Sequence, residues 1–187
     1  MIITGNKNFG LAKSLAKLYP DAEFCSRDTG YDFGKKLDME RFAEAVINHD
    51  TFINCSALFR FSQTSLLDIV YKKCILENHS CHIINVGSTT DRVKKGGAWL
   101  YNAEKKALKD YSNTLGLTGV WASGPKISYI SFGTLTNNQE KHPGRKVMDI
   151  DVAASYIKWI VDTPKHLNIN ELSIDPMQPE YWNEKDT

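Results

Sequence analysis

Short apolar runs alternate with helix-spaced apolar residues from one end of this 187-residue chain to the other. Met1-Ile2-Ile3-Thr4 opens the series, and Leu11, Ala12, Leu15, Ala16 and Leu18 follow at the spacing of one helix face. Strands are predicted over residues 1–4, 22–26, 36–38, 51–54, 82–87, 126–131 and 171–174. Helices are predicted after the first strand, across Phe42, Ala43, Ala45, Val46 and Ile47, and over residues 65–77, 98–115 and 149–163. This alternation predicts an α/β fold: a doubly wound, mainly parallel sheet with helices on both faces. The crossovers are expected to be right-handed. Residues 1–178 read as one domain and residues 179–187 as a charged C-terminal tail.

Composition narrows the function classes. The net charge of +1 gives no basic surplus for a nucleic-acid or anionic-membrane surface. No window holds the ~18 uninterrupted apolar residues of a membrane span. The chain opens directly into Met1-Ile2-Ile3-Thr4-Gly5, without a charged lead or cleavable apolar region, so a cytoplasmic protein is expected. Cys25, Cys55, Cys74 and Cys81 fall at irregular spacings and read as reduced and buried. Cys74, His79, Cys81 and His82 crowd together and raise the question of zinc. A helix end running into a strand would point Cys81 and His82 to opposite faces, and no metal is expected.

Two motifs carry chemistry. Thr4-Gly5-Asn6-Lys7-Asn8-Phe9-Gly10-Leu11-Ala12 joins the first strand to the first helix. Glycines there permit a tight turn and close backbone approach to a diphosphate, and the helix N-terminus then presents free amides. An ordinary strand-to-helix turn also favours Gly and Asn. Tyr101-Asn102-Ala103-Glu104-Lys105 sets a phenol and an ammonium one helical turn apart on one face. The ammonium is expected to favour the phenolate and lower the tyrosine pKa from about 10. A tyrosine so tuned exchanges protons with an alcohol or carbonyl. Ser88 ends an apolar run thirteen residues upstream. Ser88 could equally cap the segment after its strand, Tyr101 could be a half-buried aromatic, and Lys105 a solvated lysine beside Lys106 and Lys109. Their joint occurrence with the turn favours the catalytic reading.

These motifs resemble the short-chain dehydrogenase/reductase family. Its members carry Thr-Gly-x-x-x-Gly-x-Gly in the first turn, Asn-Asn-Ala-Gly after the fourth strand, a serine after the fifth, and Tyr-x-x-x-Lys on the next helix. The resemblance runs from Met1 to about Pro176. Thr4-Gly5 and Gly10-Leu11-Ala12 are similar to the ends of the family turn, which here is one residue short. Asn8 stands for the middle glycine and tolerates positive φ better than most residues. Asn54-Cys55-Ser56-Ala57 resembles a degenerate Asn-Asn-Ala-Gly, and Asp38 the aspartate beside adenine. Phe132-Gly133-Thr134-Leu135-Thr136 is similar to Pro-Gly-x-x-x-Thr, with Thr136 one place early. Residues 171–176 resemble the closing strand.

The resemblance implies a nucleotide-binding Rossmann fold. It implies a dinucleotide held by Gly5, Lys7, Asn8, Phe9, Gly10, Arg27, Asp38, Asn54, Ser56, Ala57, Gly133 and Thr136, with Tyr101 and Lys105. It implies an oxidoreductase interconverting a carbonyl and an alcohol by hydride transfer. Tyr101 would be its general acid/base, Lys105 the group that lowers the tyrosine pKa and holds the ribose, and Ser88 the hydrogen-bond donor to the substrate oxygen. The family's asparagine on the helix before the fifth strand has no counterpart; Thr64 stands nearest by spacing, with Gln63 beside it. Cys25-Ser26-Arg27-Asp28 ends the second strand. Arg27 can grip a ribose 2′-phosphate where a carboxylate would take a free hydroxyl. Lys7 is a second cation, so NADP(H) is favoured over NAD(H). Asp28 complicates this by pairing with Arg27 or a ribose hydroxyl.

A nonenzymatic NADP-binding regulator and a flavodoxin-like binding module are the rival readings. Substrate choice is assigned to residues 59–63, 91–100 and 137–146, where Phe59, Phe61 and Trp99 hint at a flat or aromatic small molecule. The helix over residues 65–77 is apolar on more than one face, and with the Tyr-x-x-x-Lys helix it is expected to form a homodimer.

Overall fold

The structure, a computed structural model, describes residues 1–56, 60–92, 99–121 and 124–177; the expected tail, Ala57 and Phe59 lie outside the described residues. Six strands form one sheet: β1 (Ile2–Thr4), β2 (Glu23–Cys25), β3 (Thr51–Asn54), β4 (His82–Ser88), β5 (Lys126–Phe132) and β6 (Glu171–Ile174). Their order is β2-β1-β3-β4-β5-β6 and every pairing is parallel. The connecting helices are α1 (Gly10–Leu18), α2 (Lys36–Val46), α3 (Ser62–Leu76), α4 (Leu100–Trp121) and α5 (Ile150–Val161). This is the expected doubly wound α/β architecture.

Strand alternation divides the core. Ile2, Phe52, Ile83, Ile127 and Tyr129 point to the face covered by α2, α3 and α4, where Phe42, Val46, Leu66, Leu67, Val70 and Leu108 meet them. Ile3, Ile53, Ile84 and Ile130 point to the other face, against Leu11 and Leu15 of α1 and Ala153, Ala154, Ile157 and Ile160 of α5. A strand buried on both faces needs consecutive apolar residues, which is why Ile2-Ile3, Phe52-Ile53 and Ile83-Ile84 occur as pairs.

The expected strand at residues 36–38 is instead the first turn of α2. Its one apolar residue, Leu37, is 77% exposed. Asp38 accepts a hydrogen bond from the Asp32 amide at 3.0 Å and pairs with Arg41 at 3.1 Å. A carboxylate in the first turn, with a cation three residues on, favours a helix start. The other helices differ at their ends. α3 begins three residues before its expected start, and α4 runs six residues past Leu115.

Among the described residues no three metal-ligating side chains gather. The Cys74 and Cys81 sulfurs lie 3.6 Å apart, His79 faces the His49 carbonyl at 3.0 Å, and His82 meets the Ser128 hydroxyl at 2.8 Å. Burial, aided by Lys126, depresses the His82 pKa from 6.5 to about 3. The folded chain therefore leaves His82 neutral where the unfolded chain protonates it. Stability is expected to fall as pH drops from 6.5 towards 3. Urea midpoints measured between about pH 7 and pH 4 should show this loss. His82→Gln, which keeps a partner for Ser128 but carries no charge, should flatten it.

Candidate active site

The sheet reverses its winding between β1 and β3, and in such sheets ligands bind beyond the carboxyl ends of the strands at that point. Thr4 fixes the geometry there. Its hydroxyl oxygen accepts from the Cys55 amide at 2.9 Å and the Ser56 amide at 3.2 Å, tying the segment after β3 to the end of β1. A cleft of about 1170 Å³ opens above. Gly5, Phe9, Gly10, Arg27, Ser56, Ser88, Tyr101, Lys105 and Gly133, all named from sequence, line this one cleft.

The turn half is shaped for close backbone approach. Gly5 has φ 140°, and a Cβ there would fall 2.9 Å from the Ala12 Cβ. Gly10 has φ 53° and opens α1, whose N-cap Phe9 supplies no side-chain hydrogen bond to the first-turn amides. Positive φ in this turn thus falls on Gly5 and Gly10. Asn8 does not take it up; its amide donates to the Asn6 side chain at 2.8 Å. Lys7 and Asn8 are exposed and do not line the cleft, whereas Asn6 does. Asp28 accepts from the Asn6 amide group at 2.5 Å, so its carboxylate is turned to the turn and not to Arg27.

Three other expected contacts are displaced. Asp38 is held by Arg41 and the Asp32 amide and does not line the cleft; Asp28 and Asp32 are the carboxylates that do. Asn54 is fully buried and hydrogen-bonds inside the fold. Thr136 starts a short 3-10 turn and pairs its amide with the Met148 carbonyl at 2.9 Å, while Thr134, Leu135 and Asn137 face the cleft. Ala57 cannot be placed, because it lies outside the described residues.

At the other end, β4 delivers Ser88 and α4 delivers Tyr101 and Lys105. The Lys105 ammonium lies 5.5 Å from the centre of the Tyr101 ring. The Ser88 side chain faces the Tyr101 hydroxyl closely enough to pull its pKa down, but burial is the larger effect. Burial first, and then Glu104, hold that pKa above its ordinary value of 10. This corrects the expectation of an acidified phenol. The ammonium lies over the ring and donates its hydrogen bond to Gln63 Oε1 at 2.6 Å, not to the phenol. Burial likewise lowers Lys105 to about 8. Both groups are pushed towards neutrality, as desolvation requires.

Three residues that matter here were invisible or misplaced in the sequence. Gln63 read as loop because α3 was expected to start later. Glu104 read only as a spacer in Tyr-x-x-x-Lys. In fact it is 5% exposed, and its Oε1 accepts from the backbone amides of Arg60 and Phe61. Both of those residues have left-handed backbones, at φ 58° and 59°, which is costly for side-chain-bearing residues. Tyr129, under Ser88, had no signal beyond an aromatic in a strand.

The comparisons agree with the architecture. No family model matches the chain. A stretch of 107 residues is 30% identical to an uncharacterized oxidoreductase of Staphylococcus aureus strain N315, covering 55% of this chain and 46% of that protein. The match thus spans less than half the length of the curated relative. A serine dehydrogenase solved in its closed form with NADP+ superposes with a TM-score of 0.72 at 15% identity, covering 93% of this chain and 94% of that one. A short-chain dehydrogenase from Burkholderia cenocepacia J2315 in complex with NADP gives 0.75 at 13% identity, over 92% and 86% of the two chains. A 4-hydroxyisoleucine dehydrogenase complexed with NADH and succinate gives 0.70 at 13% identity, over 94% and 97%. The chain has the short-chain dehydrogenase/reductase fold.

Proposed function

We propose that this protein is an NADP(H)-dependent oxidoreductase that interconverts a small-molecule carbonyl and its alcohol. One observation carries the reading: the glycine turn and the Ser88, Tyr101 and Lys105 side chains open into a single cleft whose volume of about 1170 Å³ admits a dinucleotide and a small substrate. The residues present fit that cofactor. Gly5 leaves no room for a Cβ, α1 offers uncapped amides to a diphosphate, and Arg27 stands at the tip of β2.

The cofactor, when bound, supplies or accepts the hydride. The chain's own residues do the rest. Ser88 donates a hydrogen bond to the substrate oxygen. Tyr101, kept protonated by its buried setting, gives its proton to that oxygen during reduction and takes one during oxidation. Lys105 balances the phenolate that remains. Ser88 on a strand and Tyr101 on a helix hold both hydroxyls on rigid elements, which limits the freedom lost on reaching the transition state. Turnover of a carbonyl panel with NADPH tests the reading, and absence of any turnover would refute it.

The preference for NADP(H) rests on Arg27, with Asp28 occupied by Asn6. A charge-assisted pair to a 2′-phosphate contributes about 1.5–3 kcal/mol, or roughly tenfold or more in affinity. Arg27→Ala should therefore weaken NADPH binding about tenfold and leave NADH binding nearly unchanged, read by fluorescence titration. Equal losses for both would refute the assignment. The same reading places the protein in the cytoplasm as a homodimer through α3 and α4. Most of the apolar face of α3 is used within the chain, since Leu66, Leu67, Val70 and Cys74 are buried. Ile75, Leu76 and Leu117 remain exposed as the apolar contact, and sedimentation at micromolar concentration should give the mass of two chains.

A further inference from the structure

The side-chain amide of Gln63 is fixed in orientation by the ends of two strands. Its Nε2 donates to the backbone oxygens of Asn54 at 2.8 Å and Val86 at 3.0 Å. Both acceptors are carbonyls, so the nitrogen must face them and Oε1 must face away. What Oε1 meets is Lys105, whose Nζ donates to it at 2.6 Å. Gln63 and Lys105 are each 3% exposed, so water competes poorly for either. Behind the amide runs a buried chain of hydrogen bonds. Asn54 donates to the Gln63 carbonyl at 3.2 Å and to Asn85 at 2.9 Å, and Asn85 donates to the Ser112 hydroxyl of α4 at 3.1 Å. Gln63 is thus clamped between β3, β4 and the helix that carries Lys105.

We propose that Gln63 is a positioning residue of this site: its amide oxygen holds the Lys105 ammonium against the Tyr101 ring and favours its charged form at neutral pH. The inference rests on the reading of Tyr101 and Lys105 as reacting groups. A neutral acceptor favours the charge without cancelling it, which leaves the ammonium able to balance a phenolate. Among the described residues, the groups facing Lys105 are few. Cys55 approaches from the segment after β3, Glu104 and Tyr101 share α4, Gln63 comes from α3, and β4 contributes the uncharged Ser88. The Cys55 thiol is itself pushed up to about 12 by burial, so it carries no charge near pH 8. Glu104 favours the ammonium only through space, since its Oε1 is held by the Arg60 and Phe61 amides. Gln63 is therefore the direct hydrogen-bond partner that favours the ammonium.

The test compares Gln63→Met and Gln63→Glu. The pH dependence of Lys105 acylation by trace acetic anhydride, followed by peptide mass spectrometry, reads its protonation without any turnover. Losing the acceptor in Gln63→Met should move the midpoint down by about one pH unit, and the carboxylate of Gln63→Glu should move it up by at least as much. The alkaline limb of kcat/KM for NADPH-dependent carbonyl reduction should move in the same opposite directions. A purely structural role would shift neither limb by sign. Gln63→Glu sets a carboxylate against two carbonyls and can fail to fold; Gln63→Met, close in shape, then decides alone. A folded Gln63→Met whose midpoint stays within about 0.3 unit overturns the proposal. Displaced acylation midpoints with no carbonyl reduced by the wild type would uphold the Gln63 contact and remove the oxidoreductase reading. Turnover with unmoved midpoints would do the reverse.

Discussion

Tyr101→Phe is expected to lower NADPH-dependent carbonyl reduction by about a thousandfold or more, while NADPH affinity stays within about twofold. The substitution removes one oxygen and leaves the ring beside Lys105 in place. It therefore deletes the proton donor without opening the fold. Ser88 can still orient a substrate oxygen, but its aliphatic hydroxyl is a far weaker acid than a phenol. The loss should fall on kcat and kcat/KM together, since the proton is needed in the transition state and not in the ground-state complex. A second feature follows from the pKa values. Lys105 is charged below about 8 and loses its charge above. Reduction should weaken as pH rises through that value, because the phenolate formed then has no counter-charge. Full activity in Tyr101→Phe would remove the mechanism, whatever the fold.

Gly87→Ala should be the most damaging single methyl in the described part of the sheet. A Cβ at Gly87 would lie 1.9 Å from the Tyr129 hydroxyl oxygen and 2.2 Å from its Cζ. Tyr129 cannot retreat, for its ring is fully buried and its hydroxyl donates to Asp91 Oδ2 at 2.8 Å. Overpacking typically costs about 1–3 kcal/mol, and the figure rises where neighbours are fixed on all sides. A loss of at least about 3 kcal/mol is expected, or roughly 6–12 °C in Tm for a chain of this size. Gly144→Ala is the control. Its φ is 79° but nothing lies within 4 Å of the new methyl, so backbone strain alone should appear. Because Gly87 adjoins Ser88, the variant should also lose turnover at temperatures where it remains folded. An unchanged Tm would show that the packing around Tyr129 is wrong.

Most of the fold was legible because it rests on paired apolar residues. Ile2-Ile3, Phe52-Ile53 and Ile83-Ile84 announce strands buried on both sides, and no alternative element accommodates them at that length. Residues 36–38 misled because the segment is too short for its period to speak. The deciding fact, Asp38 bridging the Asp32 amide and Arg41, is a local hydrogen-bond choice that hydropathy does not register. The site was legible where residue types are demanding. Gly5 must lack a Cβ, and Ser88, Tyr101 and Lys105 kept a spacing that brought them to one cleft.

What escaped was the supporting shell. Gln63 and Glu104 act through burial, and neither residue type signals burial in a sequence, since both are usually exposed. The direction of the Tyr101 pKa escaped for a related reason. Spacing shows that a lysine is near, but not that burial outweighs it or that its hydrogen bond goes to Gln63. The adenine-side carboxylate was assigned to Asp38 by position in a strand that does not exist; Asp32, in the loop before α2, lines the cleft instead.

The most direct measurement is isotope transfer. NADPH carrying deuterium at both positions of nicotinamide C4 is mixed with the protein and a panel of small carbonyls, and the alcohols are analysed by mass spectrometry. One deuterium on the former carbonyl carbon is expected with the wild-type chain and none with Tyr101→Phe. Unlabelled products throughout, under conditions where NADPH is shown to be bound, would contradict the account.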